Sequence, residues 1–258
     1  MADKTGQNSG SYLNGTLLGQ AGALADASAT AARFDGAGDQ ASVPDSGSLD
    51  VGDSFTYEAW VKRATTDEDT TVISKGAAAD GLWFGIEPNN TLGIWTGGSN
   101  VANSDTTIID SKWHHLVATK SGATRRLYLD GVDVTSGGGN QTFVDNSEPL
   151  YLGHHVAYPD SDLNGSLDEV AVYDAALSEA RVRAHYNSGR CYRDEPLLDA
   201  SQAYWRHRLA PRRRHQGGLR EEDLPRRRGR DDARHRPVTR HEHRAAANRG
   251  MGQRRWPR

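Results

Sequence analysis

Residues 113–134 read WHHLVATKSGATRRLYLDGVDV and predict three consecutive antiparallel strands. The opening third is rich in residues that suit a half-buried pleated surface. Further on, polar and apolar side chains alternate, which places Leu127 and Leu129 on one face of the second strand. Asp130-Gly131 then predicts a tight hairpin turn, because a type I′ turn needs positive φ at both central residues. The stretch therefore predicts a β-meander.

The segments outside this meander have the same character. Residues 54–63 alternate so that one face carries a row of apolar side chains, namely Phe55, Tyr57, Ala59 and Val61. Residues 82–87 and 92–95 flank the turn cluster at residues 88–90 and predict a hairpin. Short strands separated by Gly, Asn, Asp and Pro are typical of an all-β sandwich. We expect two antiparallel sheets of six or seven strands each, packed as a jelly roll.

One short helix is predicted near the end of this region, over residues 178–187. Ser178 is a suitable N-cap, and Glu179 suits the positive end of the helix dipole. Val182 is expected to pack back on the sandwich. Gly189 is expected to end the helix.

Charge divides the chain into two parts. Residues 1–190 contain 12 basic and 25 acidic side chains, a net charge of −13, and residues 191–258 contain 19 Arg, no Lys and 9 acids, a net charge of +10. We expect a flexible lead over residues 1–10, one globular domain over residues 11–190, and a disordered arginine-rich tail over residues 191–258. The acidic surface of the domain argues against nucleic-acid binding through it.

The tail has two interpretations. It is either an arginine-rich arm that binds nucleic acid or the out-of-frame translation of GC-rich DNA, whose shifted codons give Arg, Pro, His, Ala and Gly. The abrupt loss of strand pattern after a complete domain favours the second interpretation. Translating the other reading frames of the gene from codon 190 decides between them.

Four motifs occur together in a recognisable order. The meander motif, W-H-H-L-V-A-T-K followed by R-L-Y-L-D-G, is accompanied by F-D-G at residues 34–36, F-T-Y-E-A-W-V-K at residues 55–62 and N-G-S-L-D-E-V-A-V-Y at residues 164–173. The set resembles the LamG-like (laminin G/pentraxin-type) branch of the concanavalin A-like lectin/glucanase superfamily, over residues 11–189. This resemblance implies the same two-sheet jelly roll.

The resemblance also implies a role in recognition. We expect a non-catalytic module that binds carbohydrate or a glycoconjugate at its loops or on its concave sheet. The alternative is an adhesive or structural domain of a surface or phage protein that binds an extracellular protein. A divergent glycosidase or lyase is the third interpretation. Glucanases of this superfamily carry an E-x-D-x-x-E strand motif, which is missing from this sequence, so we expect no enzymatic activity.

The nearest acidic pair on a strand is Asp168-Glu169, whose adjacent side chains point to opposite faces. Secretion or surface display is implied by the resemblance alone. The sequence starts without a signal peptide and has no apolar run of membrane-spanning length. We therefore expect that the chain is a fragment or has a displaced start, with its secretion signal lying upstream.

Aromatic side chains on or beside predicted loops are the candidate ligand-binding residues. Sugar sites combine an apolar aromatic wall with a few polar anchors. Trp83, Trp95, His154 and Tyr158 fit that description in this sequence. For Trp83 and Trp95, packing in the core is the competing interpretation.

Calcium is the expected cofactor, in a structural role. The resemblance implies a Ca²⁺ site at the sandwich edge, built from carboxylates and carbonyls. Asp35 in the opening strand and Asp168 in the closing strand are the candidate ligands, because the resemblance places those strands next to each other. The competing interpretation is that Asp168 holds a turn and Asp35 is solvated.

Overall fold

The computed structural model describes residues 1, 6–24, 29–76 and 81–190. The predicted tail at residues 191–258 lies outside the described residues, so its disorder and its two interpretations stay predictions. In the N-terminal lead, the Met1 amino group donates to Gly10 O at 2.7 Å, and Gly10 N donates back to Met1 O at 3.2 Å.

Fifteen strands, numbered in chain order, form two antiparallel sheets within this part of the chain. The larger sheet has the order β1 (Ser11–Leu13), β4 (Gln40–Val43), β14 (Leu150–Leu152), β6 (Thr70–Lys75), β7 (Leu82–Ile86), β8 (Thr91–Thr96), β9 (Ser99–Thr107) and β13 (Thr135–Gly137). The smaller sheet has the order β12 (Val132–Asp133), β11 (Thr124–Leu129), β10 (His114–Ser121), β5 (Ser54–Arg63), β15 (Asn164–Tyr173), β3 (Thr30–Asp35) and β2 (Leu17–Ala21). The predicted all-β sandwich is confirmed, with eight and seven strands.

The core lies between the two sheets. The predicted apolar face of β5 is buried there, with Phe55, Tyr57, Ala59 and Val61 all at most 2% exposed. The ring of Tyr57 stacks across the interface on Phe84 of β7, with centroids 6.4 Å apart. Such a continuous apolar layer, removed from water on both sides, is the main source of stability for a sandwich.

The predicted meander is formed by β10, β11 and β12. Its turn is confirmed by positive φ at both Asp130 (53°) and Gly131 (76°). The Asp130 carboxylate accepts hydrogen bonds from the His115 backbone N–H at 2.9 Å and from the His114 ring Nδ1 at 2.8 Å. The hairpin turn is thereby tied to the two histidines at the start of the same motif.

The smaller sheet is also covered on the face opposite the core. Glu58 of β5 points to this side and is buried. It accepts hydrogen bonds from His115 Nε2 at 2.7 Å and from His185 Nδ1 at 3.0 Å. Burial raises the pKa of Glu58, but the hydrogen bonds and charges of the two histidines outweigh it, so the net pKa is lowered.

His185 belongs to the helix α1 (Glu179–Arg190), which covers this outer face. Ser178 caps it as predicted, with its Oγ accepting from Arg181 N at 3.3 Å. Val182 is fully buried against the sheet. Gly189 does not end the helix, which corrects the expectation. It lies inside the last turn, where an added Cβ would come 2.5 Å from the Trp60 ring, so it allows close approach.

No helix among the described residues has the length and hydrophobicity needed to span a bilayer.

The partners of Glu58 link β5, β10 and α1 in one buried group. This carboxylate therefore contributes to holding the helix on the sheet, beside the packing of Val182, and its contribution can be tested directly.

Glu58→Gln is expected to lower the free energy of unfolding by about 1–3 kcal/mol, because one buried histidine N–H loses its acceptor. Urea unfolding near neutral pH measures the change. Arg183→Gln is the matched control, since it breaks only an exposed pair with Glu179 on the same helix. Its cost should be at most about 0.5 kcal/mol. Equal destabilisation by both variants would contradict the assigned role of Glu58.

His114 is expected to titrate above its ordinary pKa of about 6.5. Burial lowers its pKa, but hydrogen bonds to Asp130 and Asp110 outweigh it, because both ring nitrogens face carboxylates at 2.8 Å. The raised pKa means that charged His114 contributes its full stability below pH about 6.5, lost as pH rises through the folded pKa. The hydrogen bond from His114 also lowers the pKa of Asp110 to about 2.

An NMR titration of the His114 ring measures this pKa. The difference in unfolding free energy between the wild type and His114→Gln should be measured as a function of pH. It should decrease as pH rises from about 6.5 through the folded pKa of His114. Asp110→Asn should lower the His114 midpoint, since it removes one of the two carboxylates. A wild-type midpoint at or below about 6.5 would be inconsistent with the ion pairs.

Candidate functional site

The outer face of the larger sheet carries two tryptophans opposite each other. Trp83 of β7 and Trp95 of β8 are register partners, and so are their inward-facing neighbours Phe84 and Ile94. Phe84 and Ile94 are buried in the core, whereas both tryptophans are only half-buried. Since successive side chains of a strand point to opposite faces, both indoles lie on the side away from the core.

Two glycines leave space over the sheet for the indole of Trp83 and the side chain of Glu87. Gly85 and Gly93 are also register partners on β7 and β8. A Cβ on Gly85 would come 2.6 Å from Cζ2 of Trp83, and a Cβ on Gly93 would collide with the carboxylate of Glu87. The indole of Trp83 and the side chain of Glu87 therefore rest on bare backbone.

Both indole N–H groups are used within the protein. Trp83 Nε1 donates to Thr71 Oγ1 at 2.9 Å, and Trp95 Nε1 donates to Glu87 Oε1 at 2.9 Å. Thr71 is fully buried, and its hydroxyl also contacts Ser161 Oγ at 2.8 Å. The two rings are thus fixed in orientation, and their remaining exposed surface is apolar.

A loop after β14 forms the second wall. Its short 3₁₀ turn at Pro159–Ser161 is closed by a hydrogen bond from Ser161 Oγ to Tyr158 O at 2.7 Å. Tyr158 is 56% exposed, and its ring packs 4.9 Å from that of His155, which is buried. Tyr158 therefore extends into solvent beside the tryptophans.

Together these elements enclose an open groove of about 370 Å³, called the indole groove below. Its lining residues are Asp69, Gly81, Trp83, Glu87, Pro88, Trp95, Gly98, His155, Tyr158 and Ser161. Three of the four candidate ligand-binding residues meet there: Trp83, Trp95 and Tyr158.

His154 does not line the groove. Its Nδ1 bonds to Asp162 Oδ1 at 2.8 Å, and its ring packs edge-on against Tyr151 at 5.5 Å. The neighbouring His155 lines the groove instead, because adjacent residues point in opposite directions.

The indole groove is negatively charged. Asp69 and Glu87 line it, and among the described residues no Lys or Arg contributes to its lining. Burial and then the charge of Glu87 raise the pKa of Asp69. His155 adds no charge, since its Nδ1 accepts a hydrogen bond from Ala157 N at 3.1 Å and burial lowers its pKa. Asp69 and Glu87 therefore determine the charge that the groove presents to a ligand.

A buried arginine anchors the hairpin that carries the groove. Arg63, at the end of β5, donates to Asn90 Oδ1 at 2.8 Å in the β7–β8 turn and to Ile108 O. Asn90 in turn donates from Nδ2 to Asp67 Oδ1 at 2.7 Å. The turn of the hairpin is thereby held to the opposite sheet and to the β5–β6 loop, which leads to Asp69.

The two candidate calcium ligands are not brought together. Strands β3 and β15 are neighbours, as expected, but Asp35 is opposite Asn164, and Leu167 is opposite Ala32. Asp35 and Asp168 are thus separated by four ladder positions, or about 13 Å. Their expected joint site is corrected by this register. Among the described residues, no group of three or more His, Cys, Asp or Glu side chains is arranged to hold a metal.

Each of these aspartates instead accepts a hydrogen bond from a backbone N–H group. Asp168 accepts from Ala23 N at 2.7 Å, and Asp35 accepts from Ala37 N at 2.8 Å. Asp168 therefore fixes the chain after β2, as the competing interpretation proposed. Calcium binding elsewhere on the protein stays a prediction.

A laminin G-type family model, described as the concanavalin A-like lectin/glucanases superfamily, matches residues 35–183, more than half of the chain. The chain belongs to this superfamily. The predicted resemblance to LamG-like domains is confirmed. None of the curated proteins compared has a matching sequence.

Solved structures share the fold of this superfamily domain. Domain 4 of AbnA, a GH43 extracellular arabinanase from Geobacillus stearothermophilus in complex with arabinotriose, is 21% identical with a TM-score of 0.58, covering 71% of this chain and 91% of that chain. The binding domain of Paraclostridial Mosquitocidal Protein 1 is 17% identical with a TM-score of 0.54, covering 72% of this chain and 49% of that chain. At such identities the similarity establishes the fold alone.

The predictions from the sequence did not include the acidic and glycine residues of the groove, which are Asp69, Glu87, Gly85 and Gly93. The signal was the strand period: Trp83, Gly85 and Glu87 alternate on one face of the hairpin, and Gly93 and Trp95 on its partner. Asp69 and His155 lie on loops, where no periodicity assigns a direction.

Gly85→Ala is expected to lower the free energy of unfolding by about 1–3 kcal/mol, because its Cβ meets the rigid Thr70 carbonyl as well as Trp83. Gly93→Ala should change it by only about 0.5 kcal/mol, because the flexible Glu87 carboxylate can move aside. Chemical unfolding measures both values.

Indole N–H signals in NMR spectra identify which contact moved. Gly93→Ala should shift the Trp95 signal, and Gly85→Ala the Trp83 signal. Equal stability of the two variants would show that the indole and the carboxylate do not rest on the glycines as described.

Proposed function

We propose that this domain is a non-catalytic carbohydrate-recognition module that binds glycans in the indole groove. The observation that carries the proposal is the pair of fixed, half-exposed indoles of Trp83 and Trp95 beside exposed Tyr158. Apolar ring surface next to a few polar groups suits the stacking of sugar rings with their hydroxyls held at the edge. Hydrogen bonds already orient both indoles before binding, which reduces the entropy lost on association.

The polar groups of the groove complement sugar hydroxyls. Glu87 keeps Oε1 bonded to Trp95, and Asp69 supplies a second carboxylate. Carboxylate oxygens accept hydrogen bonds from hydroxyl donors. A domain with a similar fold, domain 4 of the arabinanase AbnA, is in complex with arabinotriose, which supports a glycan ligand for this fold. Secretion or surface display follows from that role and is part of the proposal.

Protein recognition is the second interpretation. It would require a broad exposed apolar patch. The large exposed hydrophobic side chains of the described residues are distributed over β1, β2, β12 and the loops after β9, β13 and β14; they are Leu13, Leu17, Leu18, Ile109, Val132, Val144, Val156 and Tyr158. The indole groove is the more concentrated feature, so the proposal favours glycan binding.

Trp83→Ala and Trp95→Ala are each expected to weaken glycan binding by about tenfold or more, because a stacking surface worth about 1–2 kcal/mol is lost. A glycan array identifies the ligand, and titration calorimetry measures the affinity. Tyr151→Ala is the matched control, since this aromatic residue is on the neighbouring β14 but does not line the groove. Unchanged affinity in both tryptophan variants, with the fold intact, would refute the proposed site.

The array is run with Ca²⁺ and with EDTA to test the predicted cofactor. Binding lost in EDTA would support a calcium-dependent module. Equal binding in both buffers would leave the groove residues alone responsible. Release of reducing ends from the bound glycan would instead indicate hydrolysis and would contradict the non-catalytic assignment.

A further inference from the structure

We propose that the indole groove selects sugars that carry a protonated amine, such as β-linked glucosamine, over neutral and anionic sugars. The inference rests on the proposed function and names the class of glycan. It is carried by the combination of two fixed indoles with two carboxylates in a groove to which the described part of the chain contributes no Lys or Arg.

The tryptophans of the groove have no free hydrogen-bond donors, whereas Asp69 and Glu87 supply acceptors. Both indole N–H groups are already donated, to Thr71 and to Glu87. His155 accepts the Ala157 N–H at Nδ1, so in its neutral form its N–H is at Nε2, and this group and the Tyr158 hydroxyl are among the side-chain donors left beside the two carboxylates. A ligand group that is itself rich in N–H donors therefore suits the groove better than one that needs donors from the protein.

The two carboxylates are placed to face the ligand. The glycine at position 93 lets Glu87 lie over the sheet, where Trp95 Nε1 holds one oxygen. Among the described residues, neither a hydrogen bond nor a salt bridge engages the side chain of Asp69. Glu87 is half-buried and Asp69 is exposed, and two carboxylates that repel each other are stabilised by a cation bound between them.

The aromatic walls act in the same direction. A cation near an indole face is attracted by the ring quadrupole, most strongly for Trp. A sugar ring stacked on Trp83 or Trp95 would hold its amine at the edge of the ring, near Glu87. An N-acetyl group removes that charge while keeping the sugar skeleton, and a uronate reverses it.

Calorimetry with short chitosan oligosaccharides and their fully N-acetylated counterparts tests the inference on the full chain. We expect the free-amine form to bind about tenfold more tightly at low salt, as for a charge-assisted hydrogen bond. A neutral glucan oligosaccharide should resemble the N-acetylated form, and an oligogalacturonate should bind weakest. Added salt should reduce the preference.

Three variants distinguish the effect of the groove on amine binding from the effect of the overall negative charge of residues 1–190. Glu87→Gln keeps an oxygen for Trp95 Nε1 and should remove most of the preference. Glu68→Gln removes one equivalent charge from an exposed residue that bonds Thr65 outside the groove, and should leave the preference unchanged. The double variant Trp83→Ala with Trp95→Ala keeps all charges and should abolish the binding of every oligosaccharide.

The outcomes distinguish the inference from the proposed function. Equal affinity for free-amine and N-acetylated forms, or an equal effect of Glu87→Gln and Glu68→Gln, overturns the amine selectivity while glycan binding stands. Binding of the amine form that survives the double tryptophan variant also overturns it, since the attraction is then non-specific. No binding of any oligosaccharide overturns both.

Discussion

The hydrogen bond from the Arg63 guanidinium to Asn90 joins the two sheets at one end of the sandwich. Arg63 is the last residue of β5, and it follows the apolar row that fills the core. Among the described residues this guanidinium has hydrogen-bond acceptors only at Nη2, which donates to Asn90 Oδ1 and to Ile108 O, so the turn that supplies Asn90 is constrained in position. Because that turn connects β7 to β8, the same interaction that closes the core also fixes the hairpin on which the groove is built.

The two outer faces of the sandwich have different roles. On the smaller sheet, α1 covers the face, with Val182 packed on Val117 and Tyr128 and with His185 bonded to Glu58. On the larger sheet, Gly85 and Gly93 leave the backbone bare, and flat side chains occupy the space. Because α1 occupies part of the outer face of the smaller sheet, the larger sheet is the more open face, which favours it as the proposed recognition surface.

The sequence predicted those features that depend on strand period and turn chemistry. The alternating face of β5 and the Asp130-Gly131 turn were of this kind, because local patterns determine them. Trp83 and Trp95 also converge, since hairpin partners must lie side by side, whereas Tyr158 reaches the same groove from a loop. The position of His154 and the register of Asp35 against β15 could not be predicted, because loop direction and ladder register depend on long-range packing.

The charge of the whole domain is a poor guide to the charge that a ligand meets. Salt screens interactions between exposed charges beyond about 8–10 Å, so most of the acidic side chains act weakly at any one point. Inside the groove the low-dielectric walls of Trp83 and Trp95 reduce this screening, and the field comes mainly from Asp69 and Glu87. In the proposed mode of binding, specificity therefore depends on Asp69 and on Glu87, which Gly93 accommodates and the Trp95 N–H holds, and not on the net charge of the domain.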